Sequence, residues 1–261
     1  MIKEFFNNCK KYWHFCRYSA YCQLNMEVAG MRLGWIWWLL EPALTMGIYT
    51  FVFTVVFGRE MTYLMAFISC GVMMWGFFQR SVLGSVGLVK RYSGLLSRVY
   101  MPKYILAISC MMLNMFKMLI AFLIVLFFML YYKVPLRITM LQMIPVLIVY
   151  MVITFGISVW FMHFGVYLPD LRKIISVLLQ VMFYLSGVFF SLDQRLGEGM
   201  GLILRNFNPV ASLMYEGRNA LLYGVDCSAA TVGMWFAVGV ILSITGVRMV
   251  VLYEKDYLKV I

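Results

Sequence analysis

Three ionisable residues lie inside long apolar runs of the sequence, and they are the first candidates for chemistry. Glu41 follows the tryptophan-rich segment RLGWIWWLL and precedes Pro42, whereas Arg80 and Lys117 lie in later apolar runs. A charged side chain inside a bilayer costs about 2.5–3.5 kcal/mol on insertion scales, so it normally faces protein or a water-filled cavity. We therefore treat these three residues as functional candidates, with Glu41 and Arg80 as a hypothetical ion pair and Lys117 expected to face a cavity or protein. For Lys117 the alternative is that its long side chain extends to the membrane surface.

The residue groupings typical of enzymes and metal sites are missing from the sequence. The two histidines, His14 and His163, are far apart, and His163 is interpreted as a packed or capping residue. The 11 acidic residues give no Ser/His/Asp grouping, and no GxxxxGK[ST] loop occurs to bind nucleotide phosphates. The six cysteines show no paired spacing and are interpreted as reduced thiols. The sequence therefore predicts a protein that is not an enzyme, with no metal site and no cofactor of its own.

The composition predicts an all-α polytopic membrane protein. Of the 261 residues, 64% are hydrophobic and 13% are charged, and the mean hydropathy is +0.87. Soluble domains are about half apolar and about a quarter charged. Six apolar runs are long enough for transmembrane helices, because about 20 apolar residues cross the hydrocarbon layer. They cover roughly residues 35–57, 63–86, 104–132, 138–166, 174–190 and 231–252, and the fifth is the shortest.

The distribution of basic residues predicts the orientation of these six spans. The net charge is +11, and with both termini in the cytoplasm fourteen of the 22 Lys and Arg residues lie on the cytoplasmic side. Six lie on the outer side, among them Arg59. Cytoplasmic loops of membrane proteins carry an excess of Lys and Arg. The positive charge is therefore attributed to topology and not to nucleic-acid binding.

Residues 1–30 precede the first span and are predicted to form an amphipathic helix at the cytoplasmic interface. Apolar or small residues recur there at steps of three or four, namely Phe5, Cys9, Trp13, Cys16 and Ala20. Basic residues fall mostly between them, a pattern that is typical of helices lying in the plane of a membrane surface. A soluble helix packed on a partner is the alternative.

Two segments outside the spans are candidates for moving parts. Residues 90–103 form a basic loop between spans two and three that ends near Pro102. A short helix there would offer a docking surface for a soluble partner, and a simple topology anchor is the alternative. Residues 191–230 contain two short apolar stretches that meet at Asn208-Pro209. Neither stretch can span a membrane alone, so the segment is predicted to form re-entrant gate helices at the outer face, before the last span.

Four segments, in order and in spacing, resemble one transporter family. The stretch RLGWIWWLLEPALTMGIYTFVFTVVFG is similar to the first span of the membrane subunits of ABC exporters for polysaccharides and polyol phosphates, which serve capsule, O-antigen and teichoic-acid export. The other three segments are GLLSRVYMPKYIL, YLPDLRKII and NFNPVASLMYEGRNALLYG. One detail departs from the family, which often has Arg directly followed by Asp where this chain has Asp170-Leu171-Arg172.

The resemblance implies a six-span permease that forms a homodimer and pairs with two copies of a separate ATPase subunit, which binds ATP and magnesium. Residues 1–261 would form one transmembrane domain, with the interface helix at 1–30, five spans at 31–190, the outer gate at 191–230, and the last span and tail at 231–261. Its substrate would be a lipid-linked polysaccharide, carried across the bacterial cytoplasmic (inner) membrane. The residues that would contact the ATPase are Ser93, Leu95, Leu96, Arg98, Tyr100 and Pro102. Those of the outer gate are Asn208, Pro209, Glu216 and Arg218.

Aromatic residues are the candidates for a polymer path, because sugars present apolar faces on which aromatic rings stack without fixing the register. The predicted path residues are Trp35, Trp37, Trp38, Glu41, Tyr49, Phe53, Trp75 and Phe78. A plain interfacial belt is the alternative for the three neighbouring tryptophans. Alternative functions are an ABC export permease for a drug or lipid, a membrane-embedded transferase acting on lipid-linked sugars, and a channel or secondary carrier.

Overall fold

The computed structural model describes residues 2–56, 58 and 62–260, with only the backbone described for 2, 56, 192–198, 200, 255 and 258–260, and Arg59 lies outside this part of the chain. All regular structure in these residues is helical. The helices before the outer segment are α1 (Ile2–Lys11), α2 (Trp13–Val28), α3 (Trp37–Phe51), α4 (Leu64–Val86), α5 (Leu88–Arg91), α6 (Ser93–Leu96), α7 (Tyr104–Tyr131), α8 (Met143–Tyr167) and α9 (Leu171–Leu185). The remaining helices are α10 (Leu192–Phe207), α11 (Pro209–Arg218) and α12 (Ala229–Val260).

Five helical segments of the described chain are long and apolar enough to cross a membrane. They are Gly34–Val55, Leu64–Val86, Tyr104–Tyr131, Ile138–Tyr167 and Ala229–Glu254. The predicted all-α polytopic fold is therefore confirmed. The shortest predicted span, 174–190, overlaps α9, which has 15 residues and is about 22 Å long at 1.5 Å per residue. Because the hydrocarbon layer is about 30 Å thick, a sixth span stays a prediction.

Helix α4 forms the centre of the chain and packs against α7, α8, α9, α11 and α3. Within the span that contains it, 72% of the most apolar window is buried, whereas the corresponding value for the span that contains α3 is 11%. Helix α4 is therefore enclosed by the rest of the chain, whereas α3 lies at the edge of the bundle. This difference follows from the sequence of α4, whose small residues allow neighbouring helices to approach closely.

Helices α8 and α12 pack closely because glycines face the neighbouring helix. A Cβ at Gly156 would lie 2.8 Å from the Cβ of Leu242, and a Cβ at Gly239 would lie 2.8 Å from Cγ1 of Ile153. The hydroxyl of Ser243 donates to the carbonyl oxygen of Val152 at 3.1 Å across the same contact. Small residues at such spacing let helix backbones approach each other in a membrane, so α8 and α12 form one tightly joined pair.

The N-terminal segment forms two helices, where the sequence analysis predicts one. The chain departs from regular helix at Tyr12, and α2 then runs beside the first half of α7 in the same direction. Cys16 and Ala20 of the predicted apolar face are buried, whereas Trp13 is exposed. Near the end of α2, Glu27 forms an ion pair with Lys117, with Nζ and Oε2 at 2.5 Å. The charge on Lys117 is therefore compensated within the chain.

Candidate functional site

A cavity of about 410 Å³ lies among α3, α4, α7 and α9, and it joins aromatic and polar side chains. Four of the predicted path residues line it, namely Trp38, Glu41, Tyr49 and Trp75. The polar lining that the sequence analysis did not assign to the path comprises Thr45, Gln79, Arg80, Lys117, Ser176 and Gln180. Charged and aromatic groups therefore share one concave surface beside the central helix.

Helix α3 presents Glu41 to the cavity at the position where a proline interrupts its hydrogen bonding. Pro42 has no backbone N–H, so the carbonyl of Trp38, four residues earlier, loses its helical donor. One turn later the hydroxyl of Thr45 donates to the backbone oxygen of Glu41 at 2.8 Å. The Glu41 carboxylate is left free to line the cavity. The acid and the proline thus form the polar side of an otherwise apolar helix.

Helix α4 presents Arg80 to the same cavity by folding its guanidinium back over Gly76. A Cβ at residue 76 would lie 3.1 Å from both terminal nitrogens of Arg80, so a larger residue there would require the guanidinium to shift. Trp75 is oriented by a hydrogen bond from its Nε1 to Oε1 of Gln79 at 3.1 Å. Glu41 and Arg80 both line the cavity, and neither forms an ion pair with a side chain that the structure describes. Both charges therefore face the same space without contact between them.

The other predicted path residues lie outside this cavity. Trp35 is 77% exposed at the start of the first span, and Trp37 is half-buried. The ring of Phe53 stacks on that of Phe189, with centroids 4.6 Å apart. Phe78 is 2% exposed and packs within the core against Trp75 and Tyr150. Four of the eight predicted residues thus come together, and the other four occupy the surface, the core and a ring stack.

The loop between α4 and α7 has an exposed face and an anchored face. Among the residues predicted to contact an ATPase, Leu95, Arg98 and Tyr100 are exposed. Leu96 and Pro102 are buried and hold the loop to the bundle, and Ser93 is half-buried. The segment 93–100 therefore offers an exposed surface that the buried residues position.

The segment 191–230 begins its second helix at the predicted pair Asn208-Pro209. The side-chain oxygen of Asn208 accepts hydrogen bonds from the backbone N–H groups of Val210 at 3.0 Å and Ala211 at 3.3 Å. Pro209 occupies the first helical turn, where its missing N–H costs nothing. The Asn208 amide also donates to Oγ of Ser186 at 2.8 Å. This residue therefore starts α11 and ties it to the turn after α9.

Replacing Asn208 with alanine is expected to weaken α11 by about 1 kcal/mol, because an N-cap side chain contributes about 0.5–2 kcal/mol. Asn208→Asp keeps the oxygen that accepts from Val210 and Ala211 but loses the donor to Ser186. Its stability should therefore lie between that of wild type and that of the alanine variant. Thermal unfolding of the purified protein in lipid nanodiscs measures the order. Equal stability of the alanine variant and wild type would contradict the cap.

The two charged residues predicted at the outer gate are both buried and hydrogen-bonded. Arg218 donates to three carbonyl oxygens, those of Phe67 at 3.1 Å, Gly187 at 2.8 Å and Val188 at 2.7 Å. Its guanidinium carbon lies 3.6 Å from the centre of the Phe67 ring. Glu216 accepts from the backbone N–H of Ser228 at 2.9 Å. Helix α11 is thus fixed to α4, to the turn after α9 and to the start of α12.

Comparison with known proteins finds similarity to export permeases. No protein-family model matches it. It is 23% identical to an O-antigen export system permease protein RfbA of Klebsiella pneumoniae over 227 residues, which cover 87% of this chain and 86% of that protein. A second protein of that name from Klebsiella pneumoniae is 25% identical over the same shares. A third, from Myxococcus xanthus, is 28% identical over 192 residues, or 74% of each chain.

The predicted resemblance to polysaccharide-export permeases is confirmed, since all three relatives are named as O-antigen export permeases. Because the matches cover 74–87% of this chain, they extend well beyond any one of the four motifs. Residues around the candidate site that the sequence analysis missed are Gly76, which makes room for Arg80, and Glu27, which pairs with Lys117. The sequence contained one indication of the role of Gly76, because this residue stands four positions before Arg80 and so lies on the same face of the helix. Glu27 gave none.

Proposed function

We propose that this chain is the permease subunit of an ATP-driven exporter that moves a lipid-linked polysaccharide of the O-antigen type across the bacterial cytoplasmic membrane. It acts as a homodimer with two copies of a separate ATPase subunit, which holds ATP and magnesium, and both termini lie in the cytoplasm. The observation that carries the proposal is the cavity among α3, α4, α7 and α9, with its mixed aromatic and polar lining. The names of the three relatives support the substrate class.

The lining of the cavity fits a sliding glycan. The rings of Trp38, Tyr49 and Trp75 offer flat apolar surfaces to the C–H faces of sugars. The amides of Gln79 and Gln180 offer both donors and acceptors to sugar hydroxyls. Such contacts bind many successive units with similar energy, which is what movement along a polymer requires.

The exposure of α3 supports a homodimer. Its span has only 11% of its most apolar window buried inside the chain, and Leu44, Ile48 and Val55 are exposed. Two such spans from two copies would pack against each other and enlarge the cavity into a path between protomers. Packing contacts drive the association of helices in lipid.

Coupling to ATP requires that the nucleotide-bound ATPase contact one state of the permease better than the other. The exposed side chains of Leu95, Arg98 and Val99 are the surface proposed for that contact. Because Leu96 and Pro102 are buried beneath it, a displacement of the exposed face would be passed into the bundle.

Co-purification with the cognate ATPase subunit tests the proposal. Both proteins are expressed together, reconstituted in lipid nanodiscs, and assayed for subunit ratio and ATP hydrolysis, while surface polysaccharide is measured in cells lacking the native gene. We expect equal amounts of the two subunits and restored surface polysaccharide. A permease that binds no ATPase, or that restores no polysaccharide while its ATPase is present, would overturn the proposal.

A glycine-to-alanine change at residue 76 tests the cavity itself. Its Cβ would displace the Arg80 guanidinium, whose far end can move at little cost, while alanine favours the helix by about 0.5–1 kcal/mol. We therefore expect export to fall about tenfold, equivalent to about 1.4 kcal/mol, without loss of thermal stability. Gly233→Ala on α12 is the matched control, because it is also a helical glycine and its Cβ would meet nothing within 4 Å. Equal export by both variants would contradict a role for Arg80 in the polysaccharide path.

A further inference from the structure

The last turns of α12 meet the loop between α4 and α7 at a buried acid. Glu254 is 8% exposed, and its Oε1 accepts a hydrogen bond from the hydroxyl of Tyr100 at 2.7 Å. Its Oε2 lies 3.9 Å from Nζ of Lys103, which is 4% exposed. The ammonium group lies 5.2 Å from the centre of the Tyr100 ring. One carboxylate thus connects the C-terminal helix to two residues of the loop.

The opposite side of the loop is tied to the N-terminal helices by neutral contacts. Nε2 of Gln23 donates to the hydroxyl of Tyr92 at 2.9 Å, and the hydroxyl of Tyr12 donates to the backbone oxygen of Tyr100 at 3.3 Å. Among the described side chains, the acid on α12 makes the only ion pair to this loop. Charge therefore ties the loop to α12, and weaker polar contacts tie it to α1 and α2.

Helix α12 extends this contact through the length of the bundle. It has 32 residues, or about 48 Å of helix, and it is packed closely against α8 through Gly156 and Gly239. A shift of the loop that carries Glu254 with it therefore moves the α8–α12 pair as a unit. At its other end α12 begins beside Ser228, whose N–H is bound by Glu216 of the outer helix α11.

We propose that Glu254 is a positioning residue for energy coupling, which links the ATPase-contacting loop to α12 and thereby to the outer gate. The inference rests on the proposed function, because it assumes that an ATPase displaces the loop. It adds a second route into the bundle, besides the direct connection from α4 and α7. The route runs from Tyr100 and Lys103 through Glu254 and along α12 to α11.

The chemistry of the contact suits a permanent link. The hydrogen bond to Glu254, together with burial, raises the pKa of Tyr100 to about 12, so its hydroxyl stays a donor at neutral pH. A hydrogen bond to a charged acceptor is about twice as strong as a neutral one. Because Lys103 and Glu254 are both buried, each would be left uncompensated without the other. The link therefore persists while the loop moves.

Hydrogen exchange of the nucleotide-trapped complex tests the link. The permease–ATPase complex in nanodiscs is compared with and without ATP and vanadate, in wild type and in Tyr100→Phe, which removes only the hydroxyl. In wild type we expect protection to change in residues 88–103 and in 250–257. In Tyr100→Phe the change at 88–103 should remain, the change at 250–257 should fall at least twofold, and export per ATP hydrolysed should fall about tenfold.

Two further variants make the result decisive. Tyr253→Phe removes a hydroxyl one residue from Glu254 but outside the contact, so it should behave as wild type. The double variant Lys103→Met with Glu254→Gln removes both buried charges together, which proteins tolerate better than loss of one. It should fold and should reproduce the uncoupling of Tyr100→Phe.

The outcomes separate the inference from the function on which it rests. If wild type fails to bind the ATPase, the proposed function is wrong. If the complex forms and hydrolyses ATP, but Tyr100→Phe and the double variant export and exchange like Tyr253→Phe, the inference about Glu254 is wrong. If both variants lose the change in hydrogen-exchange protection at 250–257 and also lose export per ATP hydrolysed, the inference about Glu254 is supported.

Discussion

Replacing Arg218 with methionine is expected to destabilise the protein by about 3 kcal/mol or more and to abolish export. The change removes all three donors to the carbonyls of Phe67, Gly187 and Val188, and a buried acceptor without a partner costs about 1–3 kcal/mol. It also empties the space that Gly71 leaves for the guanidinium, where a Cβ would lie 3.2 Å from Cζ. Thermal unfolding in nanodiscs measures the loss of stability, and surface polysaccharide measures export.

Two companion variants separate the geometry of Arg218 from its charge. Arg218→Lys keeps the cation but presents one point of donation instead of a planar fork, so it should recover only part of the stability. Arg137→Met is the matched control, because Arg137 is exposed and its Nη1 donates to one carbonyl, that of Tyr223, at 3.0 Å. If Arg218→Met were as stable as Arg137→Met, the three-carbonyl contact would not hold α11 in place.

The sequence predicted those parts of the fold that depend on local pattern. Apolar runs of sufficient length located five of the spans, since bilayer thickness constrains helix length. The pair Asn208-Pro209 marked the start of α11, because an Asn cap followed by proline is a local signal for a helix N-terminus. The short α9 is the exception, since the last residues of its predicted span, 186–190, form a turn and not helix.

The candidate site was only half predictable, because it depends on which face of each helix meets a neighbour. Trp75 and Phe78 are three residues apart on α4, yet the first lines the cavity and the second is packed in the core. Helical spacing alone could not separate them. The partner of Lys117 is Glu27, which lies on another helix and 90 positions earlier. Such contacts are set by tertiary packing, on which local sequence pattern carries no information.

The second large effect is expected from Gly165→Ala, where α8 crosses the end of α4. A Cβ at residue 165 would overlap the carbonyl oxygen of Val86 and lie 2.9 Å from its carbonyl carbon. Backbone atoms cannot rotate away as a side chain can, so one of the two helices must shift. Overpacking of this kind typically costs about 1–3 kcal/mol. Because Val86 ends α4 directly before the loop proposed to contact the ATPase, the shift should also reduce export per ATP hydrolysed.

Gly87→Ala is the control for this crossing, since it adds the same methyl group one residue from Val86 and would meet nothing within 4 Å. Thermal unfolding and ATP-coupled export are measured for both variants in the assembled complex. We expect Gly165→Ala to lose both stability and coupling, whereas Gly87→Ala should retain both. Loss of stability alone would mean that the crossing packs the bundle without positioning the loop. Loss of coupling beyond the loss of stability would mean that the separation of α4 and α8 sets where the loop presents its exposed face.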